Sequence, residues 1–153
     1  MACSSLSVMR KFKSALLQRF TGTNEGTVTY YLGCQLIRDR PNRTSHLVQT
    51  AYCERLLHTF DMWDEVHTVA TPMIPGTSLV KADCPDTQSP TLQCTYHSIV
   101  GSIGYLVQMM WCDMAFAYIQ LSLFLHNPGP VHMAAAKHAL AYVRGTHDQG
   151  LSY

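Results

Sequence analysis

Between Ser98 and Leu125 the chain runs for 28 residues with a single charged side chain, Asp113. A run of that length and polarity either spans a bilayer or lies buried inside a domain. An aspartate near mid-span costs roughly 2.5–3.5 kcal/mol on insertion scales, and Gln108 and Gln120 add to the penalty. The spacing instead predicts two buried helices and no membrane segment. The first, over 95–111, has Ile99, Val100, Ile103, Leu106, Val107 and Met110 on one face, with Gly101 and Gly104 permitting close helix approach. Asp113 is placed to N-cap the second, whose stripe is Met114, Ala117, Tyr118, Leu121 and Leu125.

The same periodicity organises the rest. "HNPGP" stops the second helix, Pro130 falls in the first turn of a third, and Gly145 is placed to end it. "GLSY" (150–153) reads as the beginning of a strand cut short. At the other end, residues 7–20 predict an amphipathic helix with Val8, Phe12, Leu16 and Phe20 at i+4 intervals. After the breaker "TGTNEG", Val28, Tyr30, Leu32, Cys34 and Leu36 alternate as one face of a half-buried strand. The turn "RDRPNR" and a returning strand "TSHLVQ" complete a β-hairpin, and 50–60 forms a short helix with Tyr52, Cys53, Leu56, Leu57 and Phe60 inward. Four prolines between Asp61 and Cys94 mark an extended connection of about 30 residues, longer than a compact domain normally carries, which suggests a crossing between subdomains. The expected fold is α+β and helix-rich: 1–60 with a helix and a hairpin, 61–94 as linker, 95–153 as a helical bundle.

Charge placement narrows the partners. Only 14% of residues are charged, against a usual share of about 25%, while 47% are hydrophobic. Residues 1–55 hold Arg10, Lys11, Lys13, Arg19, Arg38, Arg40, Arg43 and Arg55 against Glu25, Asp39 and Glu54. A nucleic-acid partner would have to meet this first third. Three arginines, Arg38, Arg40 and Arg43, crowd the hairpin turn. Six cysteines with no C-x-x-C pair and no apparent signal peptide predict reduced thiols in a cytoplasmic setting. The eight histidines lack H-x-x-x-H spacing, and no cofactor or metal is expected. "GSIG" lacks the spacing of a nucleophile elbow, and no glycine-rich loop precedes a lysine. Asp61, Asp64 and Glu65 are the densest acidic group, but they open a loop and read as solvated. Nothing here composes an active site.

Several segments carry a resemblance. "YYLGCQLIRDRPNRTSHLVQTAYCERLLHTFDM" resembles the segment after the catalytic core in reverse transcriptases of copia-type LTR retrotransposons. Its pattern there is Tyr-Phe-Leu-Gly, a charged turn, Gln-x-x-Tyr and a helix ending in Phe-x-Met. "TPMIPGTSLVKADCP", "YHSIVGSIGYL", "DMAFAYIQLSLFLHNPGPVHMAAAKHALAYVRGT" and "GLSY" are similar to the following blocks, in the same order. The resemblance implies an end-of-palm and primer-grip hairpin, then thumb and the start of the connection, cut before RNase H.

It also implies a template–primer duplex (RNA–DNA or DNA) as partner, with Leu32 and Gly33 as the primer-grip pair. By residues alone Gly33 reads as a bulge in a plain strand. Arg38, Arg40 and Arg43 read either as phosphate contacts or as a solvated turn. Lys137 and Arg144 are candidate minor phosphate contacts. The family's Tyr-x-Asp-Asp has no counterpart, so the chain is expected to be inactive alone, although the parent polymerase would use Mg²⁺. Four family arginines are replaced by Trp111, Leu123, His138 and Ala141, which weakens the expected binding. Apolar stripes that the missing palm and RNase H parts would cover predict self-association. The alternative role is a domesticated remnant acting as a protein-interaction scaffold.

Overall fold

The helical half forms because its apolar stripes meet. A computed structural model describes residues 5–64 and 67–153. In chain order the elements are α1 (Leu6–Arg19), β1 (Tyr30–Tyr31), β2 (Cys34–Asp39), β3 (Thr44–Val48), α2 (Thr50–Thr59), α3 (Pro90–Met109), α4 (Ala115–Ser122), α5 (Pro130–Thr146) and β4 (Gly150–Ser152). Short 3-10 turns cover Lys81–Asp83 and Cys112–Met114. Helices α2, α3, α4 and α5 pack on one another around Leu57, Tyr96, Ile103, Leu106, Leu121 and Leu140, all fully buried. Tyr96 satisfies its hydroxyl inside this core by donating to the Leu121 carbonyl at 2.7 Å. No helix among the described residues is long and apolar enough to cross a membrane.

The strands form one antiparallel sheet in the order β1-β2-β3-β4. Leu36 pairs with Leu47 and Leu47 with Leu151, so three leucines cross the sheet in a row, and the last residues of the chain close against the hairpin. The expected α+β, helix-rich class is what the structure has.

Several boundaries differ from the sequence expectation, each for a physical reason. The strand expected through 28–36 is two strands, because the chain reverses at Leu32–Gly33. Tyr30 and Leu32 are consequently 56% and 60% exposed, and only Cys34 is buried. α3 starts at Pro90, a residue whose fixed φ and missing N–H suit a first helical turn, so the irregular connection ends at Ser89. Gly145 does not end α5, which continues to Thr146. Asp113 makes no cap: it is exposed and accepts the Tyr142 hydroxyl instead. Gly104 does allow a close approach, to Tyr118 of α4, whereas Gly101 faces open space. Glu65 of the acidic loop and Cys3 lie outside the described residues. Helix α1 has the predicted amphipathic pattern but no buried residue.

One buried group ties stability to pH. His132 is fully buried in the first turn of α5, stacked on Phe124, and its Nδ1 accepts the Gly129 N–H at 2.9 Å. Burial holds its pKa below the ordinary value, outweighing the pull of Asp83. The folded state therefore binds fewer protons than the unfolded state, whose histidine titrates near about 6.5. Its contribution is complete above that pH and is lost as the pH falls. Urea midpoints measured from pH 7.5 to 5 should drop. His132→Gln, which keeps a side-chain acceptor at the third helical position, should shrink the drop.

Candidate nucleic-acid interface

The tip of the β1–β2 hairpin is built under constraint. Tyr31 pairs with Cys34, leaving Leu32 and Gly33 as a two-residue loop with φ of 48° and 76°. Positive φ at both central residues is what a tight hairpin of this type requires. Glycine adopts it freely, whereas leucine in the left-handed region costs roughly 1–2 kcal/mol. That cost is offset from α3: the Tyr105 hydroxyl donates to the Leu32 carbonyl at 2.6 Å. A Cβ on Gly33 would stand 2.5 Å from the same hydroxyl. Gly33 is thus neither a bulge nor mid-strand. It is the contact point between hairpin and helix.

From this anchor a polar track runs along α3. Tyr105 packs against Tyr52 of α2 with centroids 4.7 Å apart and planes tilted by 54°, and Arg55 lies over the Tyr52 ring at 5.9 Å from its centroid. Burial raises the Tyr52 pKa against the lowering contact from Ser102, so the hydroxyl stays protonated. Arg55, Tyr52, Thr59, Ser98 and Ser102 line a groove of 260 Å³ between α2 and α3. Ser98 and Gly101 are exposed on the helix face that leads to Tyr105, and a Cβ on Gly101 would meet nothing within 4 Å. A sugar–phosphate backbone can therefore approach this face closely. Arg55, Gly101 and Tyr105 escaped the sequence reading. The i+4 spacing of Gly101 and Tyr105 places them on one face of α3, whereas Gly101 was read, with Gly104, as allowing close helix approach.

The arginines sit elsewhere. Arg38 is the last residue but one of β2, and Arg40 and Arg43 are the first and last of the four-residue turn to β3, which Asp39 braces by accepting from the Asn42 side chain at 2.7 Å. Asn42 holds the Asp39 pKa below the usual carboxylate range through its side-chain and backbone donors. All three arginines are exposed, and none pairs with a carboxylate among the described residues. Arg38 and Arg40 line a 700 Å³ hollow with Thr27, Val28, Leu36 and Pro41; Arg43, at φ 55°, does not. At about 3.3 Å per strand residue, this turn lies roughly 20 Å from Gly33, at the opposite end of β2. The structure thus separates Leu32 and Gly33 from the three arginines.

Lys137 is exposed on α5, on a third surface with Met62, Val69 and Leu79. Arg144 has another task than phosphate contact: its guanidinium donates to the carbonyls of Trp63 and Asp64 and ties the connection to α5. No group of three or more His, Cys, Asp or Glu among the described residues is placed to hold a metal ion. Asp61 and Asp64 are exposed and belong to no such group among the described residues.

A helix-rich α+β unit with a constrained hairpin tip against a helix is the class that fold and site define. Its relatives include transposon polyproteins. The chain is 34% identical over 142 residues to the retrovirus-related Pol polyprotein from transposon TNT 1-94 of Nicotiana tabacum, covering 91% of this chain and 11% of that protein. To the corresponding polyprotein from transposon RE2 of Arabidopsis thaliana it is 34% identical over 137 residues, 90% of this chain and 9% of that one. It is also 40% identical over 58 residues to the secreted RxLR effector protein 161 of Plasmopara viticola, 38% of this chain and 41% of the effector. No family model matches the chain, and no solved structure matches it significantly. The alignments support a fragment of a retrotransposon Pol polyprotein. The chain spans about a tenth of the length of the Pol polyproteins it matches.

Proposed function

We propose that this chain is the template–primer-holding part of a copia-type reverse transcriptase, with no polymerase chemistry of its own. The observation that carries the reading is the Leu32–Gly33 tip, strained at Leu32 and tied to Tyr105 at the end of an open helix face. Backbone strain held in place by a second element is a mark of a functional contact. In this reading the tip and the Gly101 face of α3 meet the sugar–phosphate backbone of a short duplex region. Arg38, Arg40 and Arg43 meet phosphates farther along. Lys137 contributes little and Arg144 nothing.

The test is an anisotropy titration of a labelled RNA–DNA duplex at two salt concentrations. Replacing Arg38, Arg40 and Arg43 by alanine should reduce the logarithmic salt slope by about two to three units, because each phosphate contact contributes about 0.9. Lys137→Ala should change it by less than one unit. A larger loss in Lys137→Ala than in the triple variant would overturn the reading. With Mg²⁺ and nucleotides the same preparation should extend no primer.

A protein-interaction role is the second reading. It is favoured by α1 and the residue after it, where Leu6, Val8, Phe12, Leu16, Leu17 and Phe20 are 40–74% exposed. Duplex binding indistinguishable from that of a neutral control protein, together with concentration-dependent association, would favour it.

A further inference from the structure

The groove of 260 Å³ between α2 and α3 has a hydrogen-bonding character of its own. Thr59 of α2 and Ser98 of α3 line it from facing helices and are exposed, and Ser102 is half-buried beside them. Each hydroxyl donates its proton to the carbonyl one turn back in its own helix. Thr59 reaches Arg55 at 2.8 Å, Ser98 reaches Cys94 at 3.0 Å, and Ser102 reaches Ser98 at 2.8 Å. With the protons committed, the oxygens offer lone pairs to whatever enters the groove. A phosphate oxygen only accepts, so binding one here would require a hydroxyl to surrender its helix bond. A hydroxyl donor leaves that bond intact. The one cation in the groove is Arg55, which is exposed, lies over the Tyr52 ring and pairs with no carboxylate among the described residues. The groove therefore suits a ligand that carries an anion and a hydroxyl donor side by side.

We infer that this groove takes the ribose 2′-hydroxyl of an RNA strand, so that the chain prefers an RNA–DNA duplex to DNA alone. The inference rests on the nucleic-acid reading proposed above and adds which strand is read. Thr59 and Ser98 accept the 2′-hydroxyl proton, and Arg55 meets the neighbouring phosphate. A DNA strand brings the phosphate but no donor, and the hydroxyl oxygens then lose their water without a replacement. Shape acts in the same direction. An A-like duplex displays its 2′-hydroxyls in a wide, shallow minor groove, whereas the minor groove of B-DNA is only about 6 Å wide, too narrow for a helix face. Gly101, one turn from Ser98 and open to space, lets such a surface come down onto α3.

The test titrates the full chain against three duplexes of one sequence at one low salt concentration: RNA–DNA, 2′-fluoro-RNA–DNA and DNA–DNA. Fluorine at the 2′ position keeps the A-like sugar pucker and removes only the donor. RNA–DNA should bind about fivefold more tightly than the 2′-fluoro duplex, the worth of about one hydrogen bond, and DNA–DNA should bind more weakly than either. This comparison needs no variant. Thr59→Val combined with Ser98→Ala should bring the ratio of RNA to 2′-fluoro affinity close to one. Both side chains are exposed, and circular dichroism checks that the double variant keeps its helices. Thr59→Ser, which keeps the acceptor, should retain the preference. Equal binding of the RNA and 2′-fluoro duplexes by the parent chain would overturn the inference and leave the nucleic-acid reading standing. A folded double variant with its preference intact would remove the role from this groove. Failure of all three duplexes to bind would overturn the nucleic-acid reading and this inference with it.

Discussion

Gly129→Ala should unfold at markedly lower urea concentration than the parent, with a loss of about 3 kcal/mol, at the upper end of what overpacking usually costs. Gly129 precedes Pro130, the first residue of α5, and its backbone crosses the 3-10 turn of the connection. A Cβ there would stand 2.1 Å from the Asp83 carbonyl oxygen, 3.3 Å from its carbon and 3.4 Å from Pro85 Cδ. The obstruction is main chain, so no rotamer change can relieve it. The neighbourhood is also tied from both sides: Asn127 donates to the Pro85 carbonyl, and His132 accepts the Gly129 N–H. Pushing these segments apart therefore disturbs the start of α5 and the seat of the connection together. Gly101→Ala is the matched control, since its Cβ would meet nothing. In mid-helix it should stabilise by about 0.5–1 kcal/mol. Its duplex affinity should nevertheless fall, because the open face that a backbone would approach is now occupied.

The helices were legible because burial imposes a period on the sequence. Ile99, Ile103 and Leu106, or Ala136, Leu140 and Val143, must face one way whatever they pack against, and all are buried. The tip of the hairpin was hidden by the same kind of pattern. Apolar residues at Val28, Tyr30, Leu32, Cys34 and Leu36 keep period two straight through a chain reversal, so alternation could not reveal the turn. The only local cue was Gly33, and a leucine before it is not the asparagine or aspartate that usually announces such turns. Partners across the chain were beyond any local pattern. That Arg144 is spent on the carbonyls of Trp63 and Asp64, or that Asp113 serves Tyr142 rather than a helix end, depends on contacts 29 to 81 residues apart. Amphipathicity in α1 was equally readable, yet a pattern states only that a face is apolar. It does not say whether anything covers it.

Gly33 and Tyr105 should prove energetically coupled. Gly33→Ala puts a side chain on a residue at φ 76°, which costs roughly 1–2 kcal/mol in the left-handed region. It also places Cβ 2.5 Å from the Tyr105 hydroxyl, so the ring must swing away and release the Leu32 carbonyl it holds at 2.6 Å. Losing that bond adds about 1 kcal/mol. The single variant should therefore lose about 2–3 kcal/mol, measured by urea unfolding. Tyr105→Phe should lose about 1 kcal/mol on its own, since the ring keeps its tilted contact with Tyr52 and only the hydroxyl goes. In the double variant the phenyl ring no longer carries the obstructing oxygen, and the hydrogen bond is charged only once. Its loss should fall short of the sum by about 1 kcal/mol, well outside the few tenths expected of independent sites. Strict additivity would mean that hairpin and helix do not meet through this pair. The duplex titration then separates structure from binding. If the tip touches nucleic acid only while Tyr105 holds it, both single variants lose affinity at salt concentrations where each remains folded. The salt slope should stay unchanged, because neither substitution removes a phosphate-binding cation.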